Sequence, residues 1–462
     1  MAIVVVSMSF HDNISAQLPD WVKTVGAQAK PAGKHQVTVA FRNDTIPATQ
    51  QIQAAIDECA AQGGGRVDFA SGVYLTGAVF VKSNVELHIG KGVTLKAVNN
   101  EAAFPEIPTR VAGVEMVWPS AIINVIDAEN ASVTGEGTID GDGQYLWRKY
   151  FEMSRDYVRR GLRWIVDYDC KRVRSLLVSG SKNITIDGLT FQKSGFWTVQ
   201  VLYSSYCTVS NVTIRNNIGG RGPSTDGIDI DSSHHILVEG CDIDCNDDNI
   251  CLKAGRDADG LRVNRPTEYV FIRNCTARRG EGLMTCGSET SGGIRYIYCA
   301  DSRSLGTRTA LRIKSAMTRG GVVEHIYMDN VTADSTRFIL SCEMNWNPSY
   351  SYSTLPKEYE GQELPAHWNV MLQQVPPEQG TPHFRNVYLS NIKGTHTGTL
   401  VSCVGSEQSV VQNVELKNMD IQADKAGVVR YTENFVIKNV KLQTPDGSQI
   451  EERNNTGLNI SW

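Results

Sequence analysis

The chain of 462 residues contains no long apolar run. None approaches the roughly 18 consecutive apolar residues that a membrane-spanning helix needs. The formal net charge at pH 7 is only -5, so no excess of basic residues favours nucleic acid as a partner. The sequence therefore predicts a protein with no membrane span and no nucleic-acid partner.

The cysteines lack the spacing of a metal site or a disulfide framework. There are 11 of them, an odd number, so they cannot all pair within one chain. Several follow an internal repeat, namely Cys207, Cys241, Cys275 and Cys299. We interpret most of them as small buried hydrophobic residues, although a disulfide in a minority stays an open alternative. No metal and no cofactor is expected.

A short phrase recurs along the chain, in which apolar and polar residues alternate around Asn or Gly. It is found at residues 183–188, 207–212, 235–241, 269–275, 325–330, 386–391 and 413–418. The spacing of about 21 to 34 residues lies in the range of solenoid repeats. Alternation with period two indicates strands, and almost no helical stretch separates them. These features predict an all-β, right-handed parallel β-helix.

The repeated asparagines begin triplets of the form Asn-x-Ser/Thr, at Asn183, Asn211, Asn274 and Asn330. Asn tolerates left-handed backbone angles at tight corners, and its side chain forms hydrogen-bonded ladders between coils. We favour this structural interpretation over N-glycosylation, which the triplet also permits.

Solenoids need caps, and residues 49–62 read as an amphipathic helix that ends at Gly63 to Gly65. Its apolar face carries Ile52, Ala55, Ile56 and Cys59. We interpret residues 31–462 as one β-helix domain with this helix as the N-terminal cap. Residues 1–30 are an N-terminal extension. The apolar run from Ala2 to Val6 within it is a remnant of a secretory signal, an expression-related start or a disordered tail.

Two stretches, near residues 144–174 and 341–383, interrupt the repeat. The first is basic and aromatic, and the second carries the aromatic residues Trp346, Tyr350, Tyr352, Tyr359 and Trp368. Long insertions in repeat proteins often build the binding site. Guanidinium groups bind carboxylates and aromatic rings stack on sugars, so an anionic sugar suits them. The alternative is a solvated helix and a packing loop.

Three aspartates lie about one repeat apart: Asp226, Asp247 and Asp248. Successive rungs of a parallel sheet bring such side chains roughly 5 Å apart. Like charges raise each other's pKa, so one of the three is expected to keep a proton and serve as a general acid. The adjacent pair reaches one groove only if the backbone bends there, and a solvated acidic turn is the alternative. Asp229 alternates with inward isoleucines and is expected to face the same groove.

Farther along, Arg312 and Lys314 flank an inward isoleucine and share an outward face. Together with the aspartates they suggest a carboxylate-binding pair, with plain salt-bridge partners as the alternative.

These motifs, in this order, resemble glycoside hydrolase family 28, the polygalacturonases and related pectin-backbone hydrolases. The family pattern Asn-Thr-Asp, Asp-Asp, Gly-His-Gly and Arg-Ile-Lys corresponds here to residues 224–226, 247–248, 280–282 and 312–314. The resemblance extends from the cap helix to the last coils. Two positions depart from the pattern, since Ser224 replaces Asn and Glu281 replaces His.

The resemblance implies an inverting hydrolase in which Asp247 is the general acid while Asp226 and Asp248 activate water. Inversion implies an acid–base separation of roughly 6.5–9.5 Å. Arg312 and Lys314 would hold a galacturonate carboxylate beside the scissile bond, with Glu281 and Asp229 as further substrate-binding candidates.

The substrate implied is a pectic oligosaccharide or polysaccharide, cut at galacturonate–galacturonate or galacturonate–rhamnose bonds. The insertions favour an exo-acting enzyme that releases galacturonic acid from chain ends. We expect a monomer that is periplasmic or secreted. Two alternatives stay open: a pectate or rhamnogalacturonan lyase, which often needs Ca²⁺, and a β-helix that only binds polysaccharide.

Overall fold

The computed structural model describes residues 18–462, and the polypeptide winds into a right-handed parallel β-helix. Each coil supplies one strand to each of three parallel sheets, which we call sheets A, B and C. Along the chain the order within one coil is B, then C, then A. The predicted all-β fold class is confirmed.

Sheet A carries the strands Val79–Val81, Ile123–Ile126, Leu176–Ser179, Val199–Leu202, Ile228–Asp231, Ile250–Lys253, Gly282–Cys286, Thr309–Lys314, Phe338–Glu343 and Glu451–Arg453. Sheet B carries His35–Val39, Gly65–Phe69, Val85–His88, Ser132–Thr134, Lys182–Asp187, Ser205–Ser210, His234–Glu239, Thr267–Arg273, Ile294–Ala300, Val322–Asp329, His383–Ser390 and Asn459–Ser461.

Sheet C carries Gly72–Thr76, Val93–Ala97, Thr138–Asp140, Thr190–Gln192, Thr213–Arg215, Asp242–Asp244, Thr276–Ala277, Arg303–Leu305 and Thr332–Asp334. Three long strands bend from one sheet into another near the C-terminal end: Lys393–Val404, Val411–Arg430 and Thr432–Gln443. One antiparallel pair, Glu106–Val111 with Val114–Pro119, stands outside the coils.

The core is built from stacks of equivalent apolar residues in successive coils. In sheet B, for example, Val209 lies in register with Val238, and Val238 with Ile272. Their side chains are fully buried. All eleven cysteines are buried and unpaired, so the interpretation of the cysteines as small core residues agrees with the structure.

This packing predicts the reactivity of the thiols. In the native protein, a chromogenic disulfide reagent should titrate fewer than one thiol per chain, because the thiols are buried and burial raises the pKa of Cys207 to about 12. In denaturant the same assay should count all eleven. A native count of two or more would contradict the packing.

The predicted N-terminal cap helix is observed at Thr49–Ala61, and the four predicted apolar residues are the buried ones. The other α-helices are Gln144–Arg159, Val166–Asp169, Asp257–Val263, Pro348–Ser351, Ala366–Met371 and Pro377–Gly380. Short 3₁₀ helices lie at Asp20–Thr24, Glu101–Ala103 and Lys357–Tyr359.

The corner asparagines adopt left-handed backbone angles, as expected. Asn183, Asn211, Asn274 and Asn330 have φ values of 56°, 53°, 54° and 51°. The Asn183 side-chain amide donates to Asn130 one coil earlier, over 3.1 Å. These contacts support the structural interpretation of the triplets.

The two insertions and the antiparallel pair pack together outside the coils. They share an apolar cluster that includes Trp118, Leu162, Trp164, Tyr168 and Trp368. We call this the wall cluster. The indole of Trp164 donates to the carbonyl of Thr354 over 2.9 Å and so ties one insertion to the other. The wall cluster stands over sheet A.

Within the described residues, no helix is long and apolar enough to cross a membrane. The apolar run from Ala2 to Val6, considered above as a signal remnant, lies outside the described residues.

Candidate active site

The candidate site lies on the outward face of sheet A, beneath the wall cluster. Outward residues of four neighbouring strands and the turns before them supply it: Ile228–Asp231, Ile250–Lys253, Gly282–Cys286 and Thr309–Lys314. Inward residues of the same strands, such as Ile230 and Ile313, belong to the core. Strict alternation in and out therefore places the charged residues together.

The structure brings Asp226, Asp247 and Asp248 together, with one carboxylate oxygen of each within 4.8 Å of the others. The adjacent pair shares one groove because the chain bends before strand Ile250–Lys253. The backbone N–H of Asp248 donates to the Asp247 carboxylate over 3.0 Å at this bend. The separation is shorter than the 6.5–9.5 Å that the family resemblance implied.

Asp248 is held as a carboxylate. It is completely buried, accepts from Lys314 Nζ over 2.8 Å and accepts from the Thr285 hydroxyl over 2.8 Å. Burial on its own would raise its pKa, but Lys314 and Arg312 outweigh burial and hold the pKa of Asp248 at about 2. This group is therefore ionised at any ordinary pH.

Asp247, in contrast to Asp248, tends to keep its proton. Burial and the negative charge of Asp248 raise the pKa of Asp247 to about 6. Burial, followed by the charges of Asp247 and Asp229, also raises the pKa of Asp226 well above its usual range. Asp247 is the more exposed of these two proton-holding groups, so it is the better placed to reach a ligand.

Lys253 is a central residue of the site that the sequence analysis missed. Its Nζ lies 3.5 Å from Asp226, 3.4 Å from Asp229 and 3.5 Å from Glu289, and it sits 4.6 Å from the centre of the Trp197 ring. One sequence signal could have identified Lys253, namely the alternation of the apolar Ile250 and Leu252 with Cys251 and Lys253. It places Lys253 outward, one coil after Asp231.

The structure does not place Asp229 on the wall of the site, contrary to the expectation of direct substrate contact. Its side chain is fully buried, and neither carboxylate oxygen has a hydrogen-bond partner. The reason is that the antiparallel pair and the insertions cover this part of sheet A. Nearby, Asp231 bonds to Arg110 of the antiparallel pair over 2.9 Å. The Asp229 carboxylate lies 3.4 Å from Lys253 Nζ, so it contributes to the charge balance around Lys253 and does not line the site.

Asp229 gives a testable dependence of stability on pH. Burial raises the pKa of Asp229 to about 8 in the folded protein, although Lys253 opposes this. The unfolded chain releases the same proton near pH 3.9. Between these values the folded state binds more protons, so stability falls as pH rises from about 4 to about 8.

Asp229→Asn should therefore gain stability relative to the original chain as pH rises. We expect its advantage to be at least about 1 kcal/mol larger at pH 8 than at pH 5. Urea unfolding at both pH values measures it. An equal difference at the two pH values would mean that Lys253 keeps Asp229 ionised throughout.

Arg312 and Glu281 lie together, away from the deepest part of the site. The guanidinium of Arg312 donates to Glu281 over 3.0 Å and lies 3.7 Å from Glu343. Glu281 is also 3.6 Å from Arg308. Glu281 thus replaces the family histidine with a carboxylate that anchors two arginines.

Two connected spaces surround these groups. The inner pocket is lined by Ala112, Arg163, Asp167, Phe196, Trp197, Ser224, Asp226, Asp247, Asp248, Lys253, Ser288, Glu289, Lys314, Trp346 and Tyr350. The outer groove is lined by Tyr150, Phe151, Arg163, Arg221, Pro223, Ser224, Asn246, Asp247, Glu281, Arg308, Arg312, Lys314, Glu343, Trp346 and Asn347. Asp247 and Lys314 lie where the two meet.

Residues of the wall cluster and the insertions line part of the inner pocket. Ala112 comes from the antiparallel pair, Arg163 and Asp167 from the first insertion, and Tyr350 from the second. The segments that do not repeat therefore contribute to the inner pocket together with sheet A.

Two groups of side chains among the described residues have the spacing of a metal site. One is Asp226, Asp247 and Asp248, and the other is Asp226, Asp229 and Cys251. Lys253 and Lys314 already contact these carboxylates and supply positive charge at both groups. The arrangement is suited to acid–base chemistry between a neutral and an ionised carboxyl group.

Comparisons with known proteins agree with this chemistry. The sequence model of glycosyl hydrolases family 28 matches residues 59–350. An endo-polygalacturonase of Pectobacterium parmentieri is 30% identical over 298 residues, which cover 63% of this chain and 70% of that protein. An exo-poly-alpha-D-galacturonosidase of Dickeya chrysanthemi is 27% identical over 316 residues, which cover 61% of this chain and 52% of that protein.

Among solved structures, the exopolygalacturonase from Thermotoga maritima has a TM-score of 0.73 at 24% identity, covering 92% of this chain and 95% of that one. This likeness shows the fold. The chain spans only about half of the length of the Dickeya relative. The family match itself extends over more than half of the chain, so this protein belongs to glycoside hydrolase family 28 and is a glycosidase.

Proposed function

We propose that this protein is an exo-acting, inverting hydrolase that removes galacturonic acid from the ends of pectic oligosaccharides. The observation that carries the proposal is the inner pocket, which the antiparallel pair and both insertions line, and in which Asp226, Asp247 and Asp248 lie, with Asp247 shared with the outer groove. Such a pocket holds the terminal sugar, and the bond to the next sugar then lies beside Asp247.

The carboxylates take different roles because their environments differ. Asp247, whose pKa is about 6, donates its proton to the glycosidic oxygen as the bond from that oxygen to C1 breaks. A water molecule attacks C1 from the other side. Asp248, ionised and bonded to Lys314, accepts the proton of that water, and Asp226 helps to orient it.

The close spacing of the three carboxylates is compatible with this scheme. A span of up to 4.8 Å between oxygens is shorter than two hydrogen bonds of about 2.7 Å laid end to end, so one water can bridge two of the carboxylates at a bent angle. We infer inversion because a water held in this way attacks directly. Proton NMR of the first-formed sugar tests it, since a product that keeps the original anomeric configuration would contradict inversion.

The relatives support a galacturonide substrate but differ in how they cut it. The Pectobacterium protein is called an endo-polygalacturonase and the Dickeya protein an exo-poly-alpha-D-galacturonosidase. We favour exo action on the geometry of the inner pocket. Since polymers do not cross membranes, this proposal also favours action in the periplasm or outside the cell.

The deciding experiment is product analysis on oligogalacturonides and on rhamnogalacturonan oligosaccharides, by mass spectrometry and ultraviolet absorbance. Free galacturonic acid, formed with addition of water from the first time point, is the expected product. Random internal cutting would overturn exo action. An unsaturated product that absorbs in the ultraviolet would indicate a lyase, and no product from either substrate would indicate a binding protein.

A further inference from the structure

The cationic side chains of the inner pocket differ in how many carboxylates of the protein already contact them. Lys253 lies between three carboxylates at 3.4–3.5 Å, and Lys314 bonds to Asp248. A further negative group brought to Lys253 would meet the charges that surround it. The two lysines therefore serve the catalytic carboxylates and leave little attraction for a carboxylate on the sugar.

Arg163 of the first insertion is different. Among the described residues its one hydrogen-bond acceptor is Asp167, which it reaches through Nη1 over 2.6 Å. A guanidinium has five N–H donors, so the other four are available. The side chain is 27% exposed and lines both the inner pocket and the outer groove, so a ligand can reach these donors.

The guanidinium is also held in place. Asp167 bonds Arg163 on one side and Arg172, which is fully buried, on the other at 3.2 Å. The Arg163 group lies 5.1 Å from the centre of the Tyr350 ring. These three charged residues together carry one net positive charge, and the fork is oriented before a ligand arrives. A fixed guanidinium fork is the protein group best matched to a carboxylate.

Glu289, which also lines the inner pocket, requires a hydrogen-bond donor from the ligand and not a carboxylate. It is buried, Lys253 and Lys314 outweigh burial and hold its pKa below its usual range, and its Oε2 has no hydrogen-bond partner. A buried ionised oxygen of this kind needs a donor, and sugar hydroxyls are donors.

We infer that Arg163 is a specificity-determining residue that binds the carboxylate of the terminal sugar in the inner pocket, while Glu289 accepts a hydrogen bond from one of its hydroxyls. The inference rests on the proposed function and assigns the recognition of the uronate to the first insertion. Arg312, which lines the outer groove, is then the candidate for binding the sugar on the other side of the scissile bond.

The test is calorimetric binding of D-galacturonic acid and of D-galactose, which differ in the carboxylate, to the full chain. The original protein should bind D-galacturonic acid roughly 10- to 100-fold more tightly, as expected for charge-assisted hydrogen bonds. Arg163→Gln should bring this ratio close to one and change the affinity for D-galactose by less than about twofold. Arg163→Lys, which keeps the charge, should retain part of the ratio.

Arg159→Gln is the matched control, because Arg159 lies on the same insertion with its side chain 77% exposed. It should leave the ratio unchanged. The inference is overturned if Arg163→Gln keeps the ratio of the two affinities. It is also overturned if Arg163→Gln weakens the binding of both sugars equally, because that result indicates a structural role.

Hydrolysis of digalacturonic acid by the original protein is measured in parallel. Hydrolysis together with an unchanged ratio in Arg163→Gln rejects the inference and leaves the proposed function standing. No hydrolysis and no preference for the uronic acid in the original protein rejects both.

Discussion

Asp247→Asn lowers kcat on an oligogalacturonide by about 10²- to 10⁴-fold, which is the usual contribution of a general acid. The asparagine has no proton to donate to the leaving oxygen. Within the described part of the chain, the Asp247 carboxylate takes part in no ion pair, and its one hydrogen bond comes from the backbone N–H of Asp248, from which an amide oxygen also accepts. We therefore expect the variant to fold normally and to bind substrate with little change in KM.

The pH dependence of kcat/KM tests the same assignment of Asp247 as the general acid. Asp247 must hold its proton to act, and its pKa is about 6. In the original protein kcat/KM should fall about tenfold per pH unit above that value, because kcat/KM reports the ionisation of the free enzyme. Asp248, whose pKa is about 2, is already ionised throughout the working range. In Asp247→Asn this fall above pH 6 should disappear from the residual activity.

Asp242→Asn is the control for this substitution. Asp242 lies on sheet C and forms surface ion pairs with Arg215 and Arg278, so its loss should change stability by less than about 1 kcal/mol and leave kcat unchanged. Steady-state kinetics on the original protein, Asp247→Asn and Asp242→Asn measure the loss of kcat. A loss of less than tenfold in Asp247→Asn would assign the acid to Asp226, whose pKa is also raised.

Much of the fold could be predicted from the sequence because the interactions that determine it are periodic. Each coil repeats the same alternation, and the cap helix is marked by four apolar residues and three glycines. The approach of Asp226 to the pair Asp247 and Asp248 was predictable for the same reason, since residues one coil apart lie on neighbouring rungs. That both members of the pair share the groove depends on the bend at residues 246–247, which periodicity does not supply.

The individual residues with which the insertions and the antiparallel pair line the inner pocket could not be predicted, because they depend on contacts between segments that do not repeat. The wall cluster joins Trp118, Trp164 and Trp368 from three separate parts of the chain. Periodicity places Asp229 on the outward face but cannot show that the antiparallel pair covers it. The ion pair of Arg110 with Asp231, over 121 residues of sequence, is likewise invisible to local patterns.

Lys314→Met should cause the second large effect, on both activity and stability. The ammonium of Lys314 is 2.8 Å from the buried Asp248 carboxylate, and methionine fills similar space without charge. Removing one partner of a buried ion pair costs about 3–5 kcal/mol. We expect kcat/KM to fall by about 10²-fold or more, because the pKa of Asp248 rises and the base loses its ionised form.

The sign of the stability change with pH follows from the pKa of Asp248. In the original chain this pKa is about 2, below the unfolded value near 3.9. The pair therefore stabilises the fold above pH 4, and this contribution is lost as pH falls through 2. In urea unfolding, Lys314→Met should be less stable than the original at pH 6, and the difference should narrow towards pH 3.

A double substitution separates the two consequences. Lys314→Met with Asp248→Asn leaves no unpaired buried charge, so it should recover most of the stability lost in the single variant. It should recover none of the activity, because the base itself is gone. Recovery of activity would contradict the role of Asp248. Failure to recover stability would show that Lys314 supports the fold through contacts other than Asp248, such as the one with the Trp346 ring at 4.4 Å.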